Sequence, residues 1–208
     1  MKKMRDGAHR REDSHHELPL PFKQDQVKLS NNKEVALSRL GKLKGRLKHD
    51  SHYQKDYLAF MVEIINRGYA EKVPAEVIPL NNNQVWYIPH PGVYHPKKPD
   101  KIRMVFDCSV EYAGECLNHH LLQGPELTNN LVGVLCRLWQ EPVALMCDIE
   151  GMFHQVEVNP EYRNFLHFPW WENSNLDSEP TEYRMTLHLL GATSSADCAN
   201  FALKMASG

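Results

Sequence analysis

Val143-Ala-Leu-Met-Cys147-Asp148-Ile-Glu-Gly-Met-Phe153-His-Gln-Val-Glu-Val158 is the stretch on which the reading of this chain turns. Its first part, Val143 to Ile149, has the length and apolar content of a short strand buried on both faces. Asp148 puts a carboxylate at the mouth of that strand, and Phe153 follows one short turn later. Carboxylate and carbonyl oxygens are hard ligands suited to Mg²⁺, so Asp148 and the backbone carbonyl of Ile149 are candidate metal ligands. Each residue also has a plainer reading. An Asp at a strand end is a common turn former or helix cap, and Phe153 is equally a core side chain or a flat wall that excludes a ribose 2′-hydroxyl.

Upstream of this stretch, Lys101-Ile-Arg-Met-Val-Phe-Asp107 alternates. Ile102, Met104 and Phe106 fall on one face of a predicted strand, and Lys101, Arg103, Val105 and Asp107 fall on the other. Lys101 and Arg103 are candidates for triphosphate oxygens, the arginine in bidentate fashion with Asp107 orienting it, or they are simply a solvated strand face. Between Val73 and Pro99 six prolines exclude long helices, while Val85-Trp-Tyr-Ile88 is strand-like. Further upstream, Asn31 and Asn32 offer an N-cap to a helix with Leu37, Leu40, Leu43 and Leu47 near one face and basic residues around the rest. A second helix is expected from Ser51, with Tyr57, Leu58, Met61, Val62 and Ile65 at helical spacing and Gly68 as its left-handed C-terminal cap. Residues 1 to 30, polar and His-rich, are expected to form a poorly ordered arm.

Leading into the central stretch, Thr128 can cap a helix with an apolar stripe of Leu131, Val134, Leu135, Leu138 and Trp139. Beyond it, strands are predicted at Phe165 to Phe168 and Tyr183 to Leu189, with Trp170-Trp171 either a hydrophobic corner near a turn or a platform for stacking on a base, and a last helix from about Ser195 to Met205. Gly191 either lets a template or nucleotide approach the backbone closely or serves a turn before the last helix.

Charge is unevenly distributed. Up to Met104 the chain carries 20 Lys+Arg against 12 Asp+Glu, and beyond it 4 against 14. A basic half suits a phosphate backbone and an acidic half suits metal ions, although surface composition alone can produce such a split. Five scattered cysteines fit reduced thiols better than a disulfide framework, and Cys108, Cys116, His119 and His120 lack zinc-ribbon spacing. Neither a nucleophile elbow nor a Gly-x-x-x-x-Gly-Lys phosphate loop is present. The first residues lack the apolar core of a secretory signal, and no apolar run reaches membrane-spanning length, so an intracellular location, cytoplasmic or nuclear, is expected.

These blocks, in this order, resemble the reverse transcriptase region of BEL/Pao-type retrotransposon polyproteins. The resemblance runs from about Leu18 to the end, through Asn31 to Leu40, Gly68-Tyr-Ala-Glu-Lys-Val-Pro74, Trp86-Tyr-Ile-Pro-His90, Lys101 to Ser109, Leu122-Gln-Gly-Pro-Glu-Leu-Thr128, Gln140 to Met146, Asp148 to Val158 and Gly191-Ala-Thr-Ser-Ser195. It implies an α+β fold of right-hand polymerase type, with fingers over residues 31 to 140 and a partial palm over residues 141 to 208, an antiparallel sheet backed by helices. It also implies RNA-directed DNA polymerisation with Mg²⁺, on a nucleic acid template-primer and deoxynucleoside triphosphates. On that pattern Asp148 is the first palm aspartate and Phe153 the sugar-selecting aromatic. Arg103, beside Lys101, contacts the incoming triphosphate, and Asp107 is the neighbouring strand acid. Gly191 belongs to the template grip and Asn200 lies near the template; Lys97 and Lys98, with Lys101 and Arg103, are the nucleic-acid contacts expected of a binding module. Two departures stand out: Ala196 replaces the family's usual proline, and the aromatic-x-Asp-Asp hairpin expected shortly after Gly208 is absent from this sequence. The expectation is therefore a polymerase fragment that is inactive alone and is completed by the rest of a polyprotein. The alternatives are a non-catalytic nucleic-acid-binding remnant and a purely structural one.

Overall fold

The computed structural model describes residues 2–11, 15–74, 83–125, 129–140 and 142–207, without the side chains of residues 98, 99 and 207. It is a mixed α+β structure with small sheets. In chain order its elements are α1 (Lys2–Asp6), β1 (His9–Arg10), β2 (His16–Leu18), α2 (Lys33–His49), α3 (Ser51–Asn66), β3 (Ala70–Lys72), β4 (Gly92–His95) and β5 (Lys98–Met104). There follow α4 (Leu117–His120), α5 (Leu131–Leu138), β6 (Val156–Val158), β7 (His167–Trp171), β8 (Pro180–Met185) and α6 (Ser195–Ser207). Short 3₁₀ turns at Met152–Gln155, Pro160–Leu166 and Glu172–Ser174 join the later strands.

The two long helices follow their sequence signals with local shifts. Asn32 is the N-cap residue of α2 but spends its side chain elsewhere, donating to the Tyr87 carbonyl and accepting from the Tyr87 amide, both at 2.8 Å. That reciprocal pair fixes the start of α2 to the 85–88 segment, and the Asn31 side chain accepts from the Lys33 amide instead. The buried face of α2 is Ala36, Leu40 and Leu47, with Leu37 exposed. In α3 the cap is Asp50, which accepts from the Tyr53 amide at 2.9 Å, and Ser51 is already helical. Tyr53, Tyr57, Met61 and Ile64 face inward, while Val62 is exposed. Gly68 follows with φ of 72°, the left-handed conformation expected of it.

Strands β3, β8 and β7 form one antiparallel sheet in the order β3-β8-β7. The 86–88 segment runs beside β7, with the Ile88 amide donating to His167 and the His167 amide donating to Trp86. Trp170 and Trp171 are not a corner, because both are buried within β7 and the Trp170 ring stacks on Tyr57 at 5.5 Å. Around them Trp86, Ile88, Phe106, Phe168 and Tyr183 complete the main core. The β4-β5 hairpin packs its Ile102 and Met104 side toward α3, where the Tyr53 hydroxyl meets the Gly92 backbone at 3.1 Å.

Two expectations are corrected. Residues 16 to 29 are not an arm: Leu18, Leu20, Phe22, Val27 and Leu29 are buried, and β2 pairs in parallel with β6. Few as they are, these apolar residues include a continuous buried run, Leu18-Pro-Leu-Pro-Phe22, that covers the core edge and that average composition hides. Nor is Val143–Ile149 a strand. Val143, Leu145 and Met146 are 73%, 91% and 97% exposed. A strand needs a neighbour, and both edges of β6 are taken, one by β2 and the other through the Val158 amide to Thr186 and the His188 amide to Val156. The apolar stripe of α5 is likewise outward, with Leu131 and Trp139 exposed; Asn130 caps this helix, and Thr128 lies outside the described residues.

Candidate functional site

The three-residue rise of β6 and the tight turn before it place the central stretch against α6. Gly151, at φ of 57°, opens the 3₁₀ turn Met152–Gln155, the Gln155 side chain donates to the Glu150 carbonyl, and this turn packs on α6. Phe153 is half-buried on that turn, Asn200 is half-buried on α6, and Asp148 stands on exposed coil just ahead. Among the described residues no hydrogen bond or ion pair engages the Asp148 carboxylate, and no group of three His, Cys, Asp or Glu side chains is gathered to hold a metal ion. A two-cation centre needs more fixed carboxylates than Asp148 alone, so the described residues do not form one.

Lys101 and Arg103 do share the outer face of β5, both exposed, with Arg103 opposite Val93. Lys97 is exposed in the hairpin turn, where its amide donates to His95, and the Lys98 side chain lies outside the described residues. Asp107 does not orient Arg103. Its carboxylate accepts from the Ser109 amide at 3.1 Å and the Ser109 hydroxyl at 2.6 Å, because a side chain two residues away in a turn is within easier reach than one across the pleat.

Gly191 is where distant blocks meet. A Cβ on it would lie 2.0 Å from the Phe106 carbonyl oxygen, so the backbone at 191 rests directly on the end of the β5 segment. The close approach foreseen for Gly191 is thus made by the chain itself and not by a ligand. Asn118 locks the junction: its amide donates to Cys108, its side chain donates to the Gly191 carbonyl, and it accepts from the Thr193 amide at 2.8 Å. Gly124, at φ of 80°, lies against Asp197 at the start of α6. The blocks at 101 to 109, 122 to 125 and 188 to 197, far apart in sequence, are therefore contiguous in space.

Beside this junction lies a cavity of about 230 Å³ between α2 and the Pro89-His90-Pro91 segment, which Asp107 also lines. Arg39, Lys42 and Arg46 rim it. Sequence reasoning placed them only among the polar residues around α2; their i, i+3, i+7 spacing was the available signal. His90 is buried at its base, with Nδ1 2.7 Å from the Tyr57 hydroxyl and Nε2 3.1 Å from the Pro169 carbonyl. Burial lowers its pKa to about 4 and raises that of Tyr57, so this pair is neutral at physiological pH. Burial also pushes the Cys108 thiol up, and that of Cys198 to about 12, so neither is a nucleophile at neutral pH.

A second buried polar cluster centres on Glu182, which meets Lys33 at 2.5 Å, the Tyr87 hydroxyl at 2.8 Å and His167 Nδ1 at 3.4 Å. It ties α2 to β7 and β8. No described helix is long and apolar enough to cross a membrane. No protein-family model matches the chain, and no curated protein matches it significantly.

Proposed function

We propose that this chain is the fingers and first part of the palm of a reverse-transcriptase-like polymerase, of BEL/Pao retrotransposon type, and that by itself it handles nucleic acid without polymerising. The observation that supports this reading best is the junction at Gly191. Two blocks chosen on sequence resemblance alone, at Phe106 and at Gly191, come into direct backbone contact, and Gly124 of a third lies against the Asp197 side chain just beyond the Gly191 block. The outward Lys101 and Arg103 on a two-stranded hairpin suit phosphate oxygens. Asp148 and the Ile149 carbonyl would offer Mg²⁺ two oxygen ligands, and the chemistry such cations supply is stabilisation of the charge that develops in phosphoryl displacement.

Primer extension on an RNA or DNA template with Mg²⁺ and deoxynucleoside triphosphates is expected to show no incorporation by the isolated chain. Incorporation abolished by Asp148→Ala would show that the chain holds a working centre and overturn the inactive half of the proposal. A binding module without chemistry is favoured by one specific observation: the cations on the cavity face of α2 have no ion-pair partner among the described residues.

A further inference from the structure

The basic residues of α2 divide into two sets by what they touch. Lys33 pairs with Glu182, Lys48 pairs with Asp177 at 2.8 Å, and the Lys44 ammonium sits over the Trp171 ring at 5.7 Å. These three serve the fold. Arg39, Lys42 and Arg46 instead border the cavity, and among the described residues none of them makes an ion pair. The Arg46 guanidinium sits over the Tyr53 ring, its carbon 3.7 Å from the centroid, which holds one charged group in place at the mouth. Below the rim the walls are apolar and flat: Leu40, Leu43, Pro89, Pro91 and Pro169. The cavity's carboxylate, Asp107, is occupied by Ser109, and its histidine is neutral and bonded on both ring nitrogens.

We infer that this cavity binds a single nucleotide, with the base between the proline walls and the Arg46–Tyr53 pair and the phosphate on Arg39 and Lys42. The inference rests on the nucleic-acid reading above and names a site for it away from Asp148. Size and charge both point to this occupant. At about 230 Å³ the cavity is smaller than a usual drug-sized pocket, so it admits one planar ring system and leaves an attached anion at the rim. Stacking on aromatic and guanidinium planes, with cations tracking the phosphates, is how unpaired bases are commonly held. The same chemistry serves a free mononucleotide or an unpaired nucleotide within a strand.

The test is binding of adenosine monophosphate and of a short fluorescein-labelled single strand to the full chain, without divalent metal, so that polymerisation plays no part. Two triple variants are compared. Arg39→Gln/Lys42→Gln/Arg46→Gln removes the cavity charges, and Lys2→Gln/Lys28→Gln/Lys55→Gln removes the same net charge from exposed positions elsewhere on the surface. The cavity variant is expected to lose at least about tenfold in affinity and to flatten the salt dependence by about 2 in slope, and the other variant to lose less than about threefold. An abasic strand with the same phosphates is expected to bind about fivefold or more weakly than the normal strand. Binding of both ligands assigns the site to free nucleotides, and binding of the strand alone assigns it to a nucleotide within a strand. Equal losses in the two variants, an abasic strand that binds as well as the normal one, or a polyglutamate peptide that competes as strongly would overturn the inference. If a template-primer duplex still binds while the cavity variant is neutral, the cavity assignment fails and the broader reading stands.

Discussion

His90 and His188 are both buried and both held near pKa 4 by burial, against 6.5 in water. Their folded pKa values are depressed, so the stability they contribute is present above pH 6.5 and is lost as pH falls toward 4. Glu182 acts in the next window down. Burial alone would raise its pKa, but hydrogen bonds from His167, Lys33 and Tyr87, with the Lys33 charge, outweigh that and hold it at about 2 against 4.5. Its contribution is therefore intact above pH 4.5 and is lost below. Urea denaturation as a function of pH is expected to show stability falling first between pH 6.5 and 4 and again below 4.5. Proton NMR should find two histidine rings titrating near 4, and all rings titrating near 6.5 would refute this account. Gly191 permits a second prediction. Gly191→Ala drives a methyl into the Phe106 carbonyl, backbone against backbone, and is expected to cost about 2–3 kcal/mol in a denaturant titration. No measurable loss would mean the junction is looser than described.

Helix α2 contains Gly41 and Gly45, and a Cβ at either meets nothing within 4 Å. Gly45→Ala is expected to raise stability by about 0.5–1 kcal/mol, checked by thermal melting, since only the entropy of the unfolded chain changes. Elements whose period matches one buried face were legible in the sequence. The two-residue alternation of Ile102, Met104 and Phe106 placed the face of β5, and the helical spacing of Tyr57 and Met61 placed that of α3. What escaped was set by distant partners. Asn32 could be recognised as a helix start, but not its bonds to Tyr87. Apolar content marked Val143 to Cys147 as buried, yet pairing needs a free strand edge, and nothing local reveals that β2 has taken that of β6. The candidate site divides the same way. Arg103 on an outer face followed from alternation, and Gly191 as a point of close approach followed from its missing side chain. Which atom approaches Gly191, and that Asp107 turns to Ser109, depends on tertiary structure.

Across the molecule, Leu131, Trp139, Leu145 and Met146 are each exposed, Trp139 at 89%. Large apolar side chains left in water drive association. The chain is expected to self-associate with rising concentration in light scattering, and Trp139→Ser with Leu145→Glu to reduce it while leaving the unfolding free energy within about 0.5 kcal/mol. Unchanged scattering would move the sticky surface elsewhere. The pairing of β2 with β6 has a different consequence, in the order of synthesis. Residues 16 to 18 are made long before Val156 to Val158, their parallel neighbour among the described residues. Until then Leu18 and Leu20 have no sheet edge to cover, and the nascent chain must carry them bare. Chaperones that shelter apolar segments of a growing chain should therefore raise the amount of this protein a cell recovers.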